Sequence, residues 1–190
     1  MNEKKSFLSV KEMVEMALLL ALAVVLDLAG IKIGHASFTM VPLFILVYRH
    51  GLIKSGVVIG IIYAFINMAF DSWSIDAITL IFDYVLGYGL MSLAALFAKK
   101  AFNQSSKHWM NIMWLSISII LCSLIRLVCS SISGVILEYA PTFFSAFWIN
   151  LTLYIGWDCL LAFLSLIILY PSILLINKRF PTSFTKKFDR

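Results

Sequence analysis

Residues 110–137 read MNIMWLSISIILCSLIRLVCSSISGVIL, an apolar run in which Arg126 is the only charged residue. A helix needs roughly 20 apolar residues to cross the hydrocarbon core of a bilayer, and this run exceeds that length. It predicts a transmembrane helix. Four similar runs precede it, at 12–29, 38–48, 54–70 and 76–98, and one follows at 144–176. The second run is too short to cross on its own and is expected to be tilted, broken or only partly spanning. The fold class expected from this pattern is an all-α membrane protein, a bundle of six transmembrane helices.

Composition agrees with that reading. Hydrophobic residues make up 62% of the chain and charged residues 13%, against about 25% charged in soluble domains. The mean hydropathy is +0.96. A water-soluble fold with this content would expose large apolar patches, so the solvent for most of the chain is expected to be lipid. The net charge of +5 comes from basic residues scattered between apolar runs, not gathered into a nucleic-acid footprint. No nucleic-acid partner is expected. The chain is expected to form one transmembrane domain, 1–190, with short tails at about 1–11 and 178–190. Cys122, Cys129 and Cys159 lie inside apolar runs without CxxC or zinc spacing, as free thiols packing like small hydrophobes do. Lys4 and Lys5 precede an apolar run, but Glu12 and Glu15 interrupt it, so an uncleaved first helix is expected.

Lys and Arg in the connections set the orientation of a membrane protein. With six spans, every basic residue except Lys32 and Arg126 falls on one side. That side is expected to be the cytoplasm, with both termini there. The other side carries Asp71, Asp76 and Glu138.

A charge within hydrocarbon costs about 2.5–3.5 kcal/mol on insertion scales and needs a reason to be there. This topology places Asp27, Asp83 and Arg126 toward the external ends of their helices and Asp158 near the middle of the last one, with almost no ionisable groups in the inner halves. Polar-tipped aromatics gather with them, including Trp73, Tyr84, Tyr139, Trp148, Tyr154 and Trp157. Carboxylates beside aromatic faces suit a cationic or polar aromatic ligand, through ion pairing, stacking and cation–π attraction. Trp73 and Tyr139 also fit an interfacial aromatic belt. Arg126 could brace Asp83 or Asp158 instead of touching a ligand, and Asp27 and Lys32 could snorkel to the interface. The residues that carry the pocket expectation best are Asp83, Tyr84, Asn150 and Asp158.

Small residues one helical turn apart allow close helix approach. Ala17 and Ala21 have this spacing, as do Gly56 and Gly60, with Gly87 and Gly89 on the next helix. Internal packing and docking of a partner both fit the spacing.

Several stretches resemble the S-components of energy-coupling factor (ECF) vitamin transporters, above all the thiamine-specific type. Met40-Val41-Pro42-Leu43, Arg49-His50-Gly51 and Gly56-x3-Gly60 resemble the family's signature in helices two and three. Phe82-Asp83-Tyr84-Val85-Leu86-Gly87-Tyr88 resembles its helix-four motif, in which the acidic residue and the following Tyr contact the vitamin. Arg126-Leu127-Val128-Cys129-Ser130-Ser131-Ile132-Ser133-Gly134 and Tyr139-Ala140-Pro141 resemble its helix-five motif. The resemblance implies a capture subunit that binds its vitamin through Trp73, Asp83, Tyr84, Arg126, Ser130, Glu138, Trp148, Asn150, Tyr154 and Asp158. It implies Ala17 and Ala21 as the docking motif for the transmembrane coupling subunit, which works with two cytoplasmic ATPases. No P-loop occurs in this chain. No catalytic residue, cofactor or metal is implied, and the location is a bacterial plasma membrane.

Three departures bear on the substrate. Ser130 stands where the thiamine type has a ligand-contacting His, Leu137-Glu138 stands where an aromatic is expected, and Ile149-Asn150 replaces a Tyr-Asn pair. Thiamine is the first expectation. A vitamin B6 form, hydroxymethylpyrimidine and riboflavin are alternatives. An autonomous secondary transporter would commonly show internal repeats, and none is visible. An intramembrane metalloenzyme would want paired His in a helix core, whereas His35, His50 and His108 are expected in loops.

Overall fold

The computed structural model describes residues 9–29, 32–33, 36–70, 77, 80–103 and 107–188. Among these, six helical rods run back and forth: α1 (Val10–Leu28), α2 (Met40–His50), α3 (Leu52–Phe70), α4 (Leu80–Ala101), α5 (His108–Ile136) and α6 (Phe143–Arg179). Their bounds lie close to the apolar runs of the sequence. A short 3-10 turn, Thr185–Lys187, follows α6. Between α1 and α2 the backbone makes a minimal antiparallel ribbon, with Lys32 opposite Ser37 and Ile33 opposite Ala36.

Four rods, α3 to α6, are long and apolar enough to cross a membrane. Their outward faces carry large apolar side chains, such as Leu96 and Ile168, mostly exposed to the surroundings. Such a surface is stable in lipid and not in water. The chain is a multi-pass membrane protein. α1 has 19 residues, but Lys11, Glu12, Glu15 and Asp27 lie within it. Ser9 caps its first turn, accepting from the Glu12 N–H at 3.2 Å.

The short second segment is an unbroken helix of 11 residues at the centre of the bundle. At 1.5 Å per residue it spans about 16 Å, roughly half a bilayer core. Met40, Leu43, Phe44, Leu46, Val47 and Tyr48 are all fully enclosed. Because neighbouring helices wrap it, its end and the irregular backbone before it can stop at membrane depth without facing lipid. α2 runs on through His50, which is 3% exposed, and His108 opens α5. Both therefore lie in helices, which corrects the loop placement. The helix continues because it stops only at Gly51, whose φ of 78° is left-handed. His35 lies outside the described residues.

Glycine makes the α3–α4 contact possible. A Cβ on Gly60 would lie 2.8 Å from the Gly89 Cα, so the two backbones touch only because neither residue has a side chain. These glycines serve internal packing. Ala17 and Ala21 differ, as both are exposed on α1. Cys122 and Cys129 are buried and Cys159 is half-buried, all as free thiols.

Three stretches wind more widely than an α-helix: Val58–Tyr63 in α3, Leu80–Leu86 in α4 and Asn150–Tyr154 in α6. Such π-type turns leave extra backbone groups to satisfy and recur at functional sites. They carry Tyr63, Asp83 and Asn150 in turn.

Candidate functional site

The ionisable groups lie at opposite ends of the bundle. One end, where α1 starts and α6 finishes, holds the Lys and Arg of the connections. The other holds Asp27, Asp83, Arg126 and Asp158, drawn from α1, α4, α5 and α6.

Arg126 is the hub of that second end. Its Nη2 donates to the Tyr88 hydroxyl at 2.8 Å, and its Cζ lies 4.2 Å from the Tyr88 ring centroid. The Asp158 and Asp83 carboxylates both act electrostatically on its guanidinium. Arg126 and Asp83 also flank Gly87, where an added Cβ would lie 3.8 Å from the Arg126 Cγ and 4.0 Å from the Asp83 Oδ1. Among the described residues, the Arg126 Nε is buried without a hydrogen-bond partner. A buried donor of a charged group left unused in this way is costly unless water or a ligand accepts from it.

Aromatics extend the cluster. The wide turn of α4 carries Asp83 and Tyr84, and Tyr84 is buried, its ring 6.5 Å from that of Tyr88. Tyr88 meets Tyr63 edge-on at 4.9 Å. Asn67 Nδ2 donates to the hydroxyls of Tyr88 at 3.1 Å and Tyr63 at 3.3 Å. The Tyr63 hydroxyl points to Asp27 Oδ2 at 3.4 Å, the long limit of a hydrogen bond. α1, α3, α4 and α5 are thus tied together by one polar chain.

The connection between α1 and α2 is tied to this end from above. Asp158 Oδ1 accepts the backbone N–H of Ser37 at 2.6 Å. The Ser37 and Thr39 hydroxyls pair at 2.6 Å, which holds the chain's turn into α2.

Of the residues singled out from the sequence, Asp83, Tyr84, Arg126 and Asp158 come together here. Asn150 is buried in the wide turn of α6, and Tyr154 closes that turn. Ser130 lies one turn beyond Arg126 on α5 and is half-buried. Glu138 is exposed in a left-handed turn (φ 57°) after α5. Trp148 is 58% exposed and packs on Phe147, its indole turned to the surroundings. Neither Glu138 nor Trp148 joins the cluster. Trp73 and the Tyr154 side chain lie outside the described residues.

Tyr63, Asn67 and Tyr88 complete the cluster but were not singled out from the sequence. Their signal was available: Tyr63 and Asn67, like Tyr84 and Tyr88, are one turn apart and put polar tips on one face of an apolar helix. Among the described residues, no group of three or more His, Cys, Asp or Glu could hold a metal ion.

Residues 13–179 match the thiamine transporter protein family. The chain belongs to that family. A curated relative, the thiamine transporter ThiT of Bacillus subtilis (strain 168), is 26% identical over 153 residues, covering 74% of this chain and 77% of the relative. The solved structure of ThiT from Listeria monocytogenes aligns with a TM-score of 0.66 at 21% identity, over 91% of this chain and 96% of that one. That likeness establishes a shared fold. Family membership bears out the resemblance to the thiamine-specific type read from the motifs. The relatives are transporters and not enzymes, which agrees with the absence of an expected catalytic group.

Proposed function

We propose that this chain is the substrate-capture S-component of an ECF-type importer in a bacterial plasma membrane, taking thiamine from outside the cell. The observation that carries this reading is the family match across residues 13–179. In this reading all six helices cross or enter the bilayer, both ends are cytoplasmic, and the acidic end faces outward.

Thiamine combines a cationic ring with an aminopyrimidine, and the acidic cluster has complementary chemistry. Asp83 and Asp158 supply negative charge, Tyr84 and Tyr88 supply aromatic faces, and Arg126 and Asn150 supply donors in a site shielded from water. Ser130 lies beside this group, with Trp73 and Tyr154 as further ligand contacts. Glu138 and Trp148 act at the rim of the site. ATP is hydrolysed by two cytoplasmic ATPases, joined to this chain through a membrane coupling subunit that docks on Ala17 and Ala21. Exposure of both alanines supports that role.

A related ring vitamin is the second reading, favoured by Ser130 and Glu138 standing where the thiamine type has His and an aromatic. Purified protein is expected to bind thiamine at submicromolar levels, read as tryptophan quenching and confirmed by native mass spectrometry against a vitamin panel. Binding of a B6 form or hydroxymethylpyrimidine in preference to thiamine would establish the second reading. No binding across the panel would overturn both.

A further inference from the structure

At the basic end, three segments far apart in sequence interlock. Arg49, 3% exposed, forms an ion pair with Glu15 of α1. It also donates to Asn177 Oδ1 at 2.7 Å and to the Phe180 carbonyl at 3.1 Å. Lys54 Nζ bridges Glu12 Oε2 at 2.7 Å and Ser183 Oγ at 2.9 Å. The Ser183 backbone N–H donates to Glu12 Oε1 at 2.6 Å, and the Thr182 hydroxyl donates to the Arg49 carbonyl. Phe184 lies over Gly51, where a Cβ would come within 2.6 Å of its ring. The tail after α6 is therefore threaded into the α2–α3 corner and clamps the start of α1.

We infer that this clamp sets the rotation of α1 about its own axis, with Arg49 as the central positioning residue. The reason is particular to lipid. A helix in water turns its apolar face inward, but between lipid and an apolar bundle there is no such drive. The middle of α1 is apolar all round, from Met16 to Leu26, so hydrophobicity does not choose its buried face. Polar groups that must be paired do choose one. Glu12 and Glu15 are held against the corner, with Met16, Leu20 and Ala23 buried on the same side. At about 100° per residue, Ala17 and Ala21 lie roughly 140° and 180° round the rod from Glu12. The clamp and the small-residue face are on opposite sides of one helix, so fixing one presents the other. Apolar packing of equal volume would hold these segments as firmly as buried ion pairs do. What the ion pairs add is a single register.

The consequence for transport rests on the docking reading above, whereas the rotation itself does not. In a chain with Cys122, Cys129 and Cys159 replaced by Ala, spin labels at Leu18→Cys and Ile168→Cys report the rotation by pulsed electron resonance. Arg49→Gln, and separately a chain ending at Pro181, are expected to shift or broaden the distance distribution. Both are expected to lower uptake at least about tenfold while thiamine binding stays within about threefold. The exchange Glu15→Arg with Arg49→Glu restores the ion pair but not the donors to Asn177 and the Phe180 carbonyl, so it is expected to bring the distribution and uptake only part of the way back to the parent's. If Arg49→Gln fails to insert, the shortened chain decides by the same readouts. An unchanged distance distribution overturns the inference, as does loss of binding in step with uptake. If the parent protein neither binds nor imports thiamine, the functional reading fails, and the distance distributions alone still judge the clamp.

Discussion

Asp83 and Arg126 are the residues at which chemistry is most concentrated. Asp83→Asn removes the charge and turns one acceptor oxygen into a donor amide at nearly constant size, so it tests the ionic part of ligand attraction without opening a cavity. It is expected to weaken thiamine binding by about tenfold or more, near 1.4 kcal/mol, measured by tryptophan quenching. Wild-type affinity in this variant would remove Asp83 from the site. Tyr88 has a different part. Its hydroxyl accepts from both Arg126 and Asn67, so Tyr88→Phe takes an acceptor from two part-buried donors, of which Asn67 keeps the Tyr63 hydroxyl. A stability loss of about 1–3 kcal/mol is expected, read as a lowered thermal midpoint in detergent. Binding is expected to weaken with it, because Arg126 loses its anchor. The four charged positions in the apolar runs were legible from the sequence alone, since each is costly in lipid. Tyr63, Asn67 and Tyr88 carried only the weaker signal of one-turn spacing, because Tyr and Asn are tolerated at many places in a membrane helix, and their convergence is what distinguishes them.

At the scale of single elements, α1 and the α3–α4 pair make contrasting predictions from the same small-residue spacing. Ala17→Trp is expected to abolish uptake while leaving thiamine binding intact, because the change is made on an exposed face far from the acidic cluster. Unchanged uptake would reject docking through this face. Gly60→Val is expected to do the reverse, lowering the yield of folded protein, because its Cβ would strike the Gly89 Cα. A thermal midpoint equal to the parent's would contradict the close approach. Spacing could not separate these two cases. Helix identity was readable because apolar length reports it directly, and the bounds of all six rods came within a few residues of expectation. The wide turns of α3, α4 and α6 were not readable, because the propensity of a residue does not distinguish an i→i+4 from an i→i+5 hydrogen bond.

For the whole molecule, the basic and acidic ends make orientation testable. In the cysteine-free chain, a membrane-impermeant thiol reagent applied to intact cells is expected to label Glu138→Cys and to leave Lys100→Cys unlabelled until the membrane is opened. The opposite pattern would invert the topology and place the acidic cluster on the cytoplasmic side, where capture of an external vitamin could not begin.

The sequence by itself determined that this chain lives in lipid, how many apolar rods it can form, which end carries the basic residues and which family motifs it bears. Those properties follow from transfer free energies that act residue by residue. Tertiary structure alone decided that the shortest rod is the central one, that Gly60 packs inward while Ala17 faces out, and that Tyr63, Asn67 and Tyr88 complete the Arg126 cluster. It also decided that the tail at Ser183 reaches back to Glu12. In lipid, hydrophobicity does not say which face of an apolar helix is buried, so rotation and neighbour choice are set by shape and by pairing of rare polar groups. Several of those pairings join residues more than a hundred positions apart, as Ser183 and Glu12 are, and no local pattern records them.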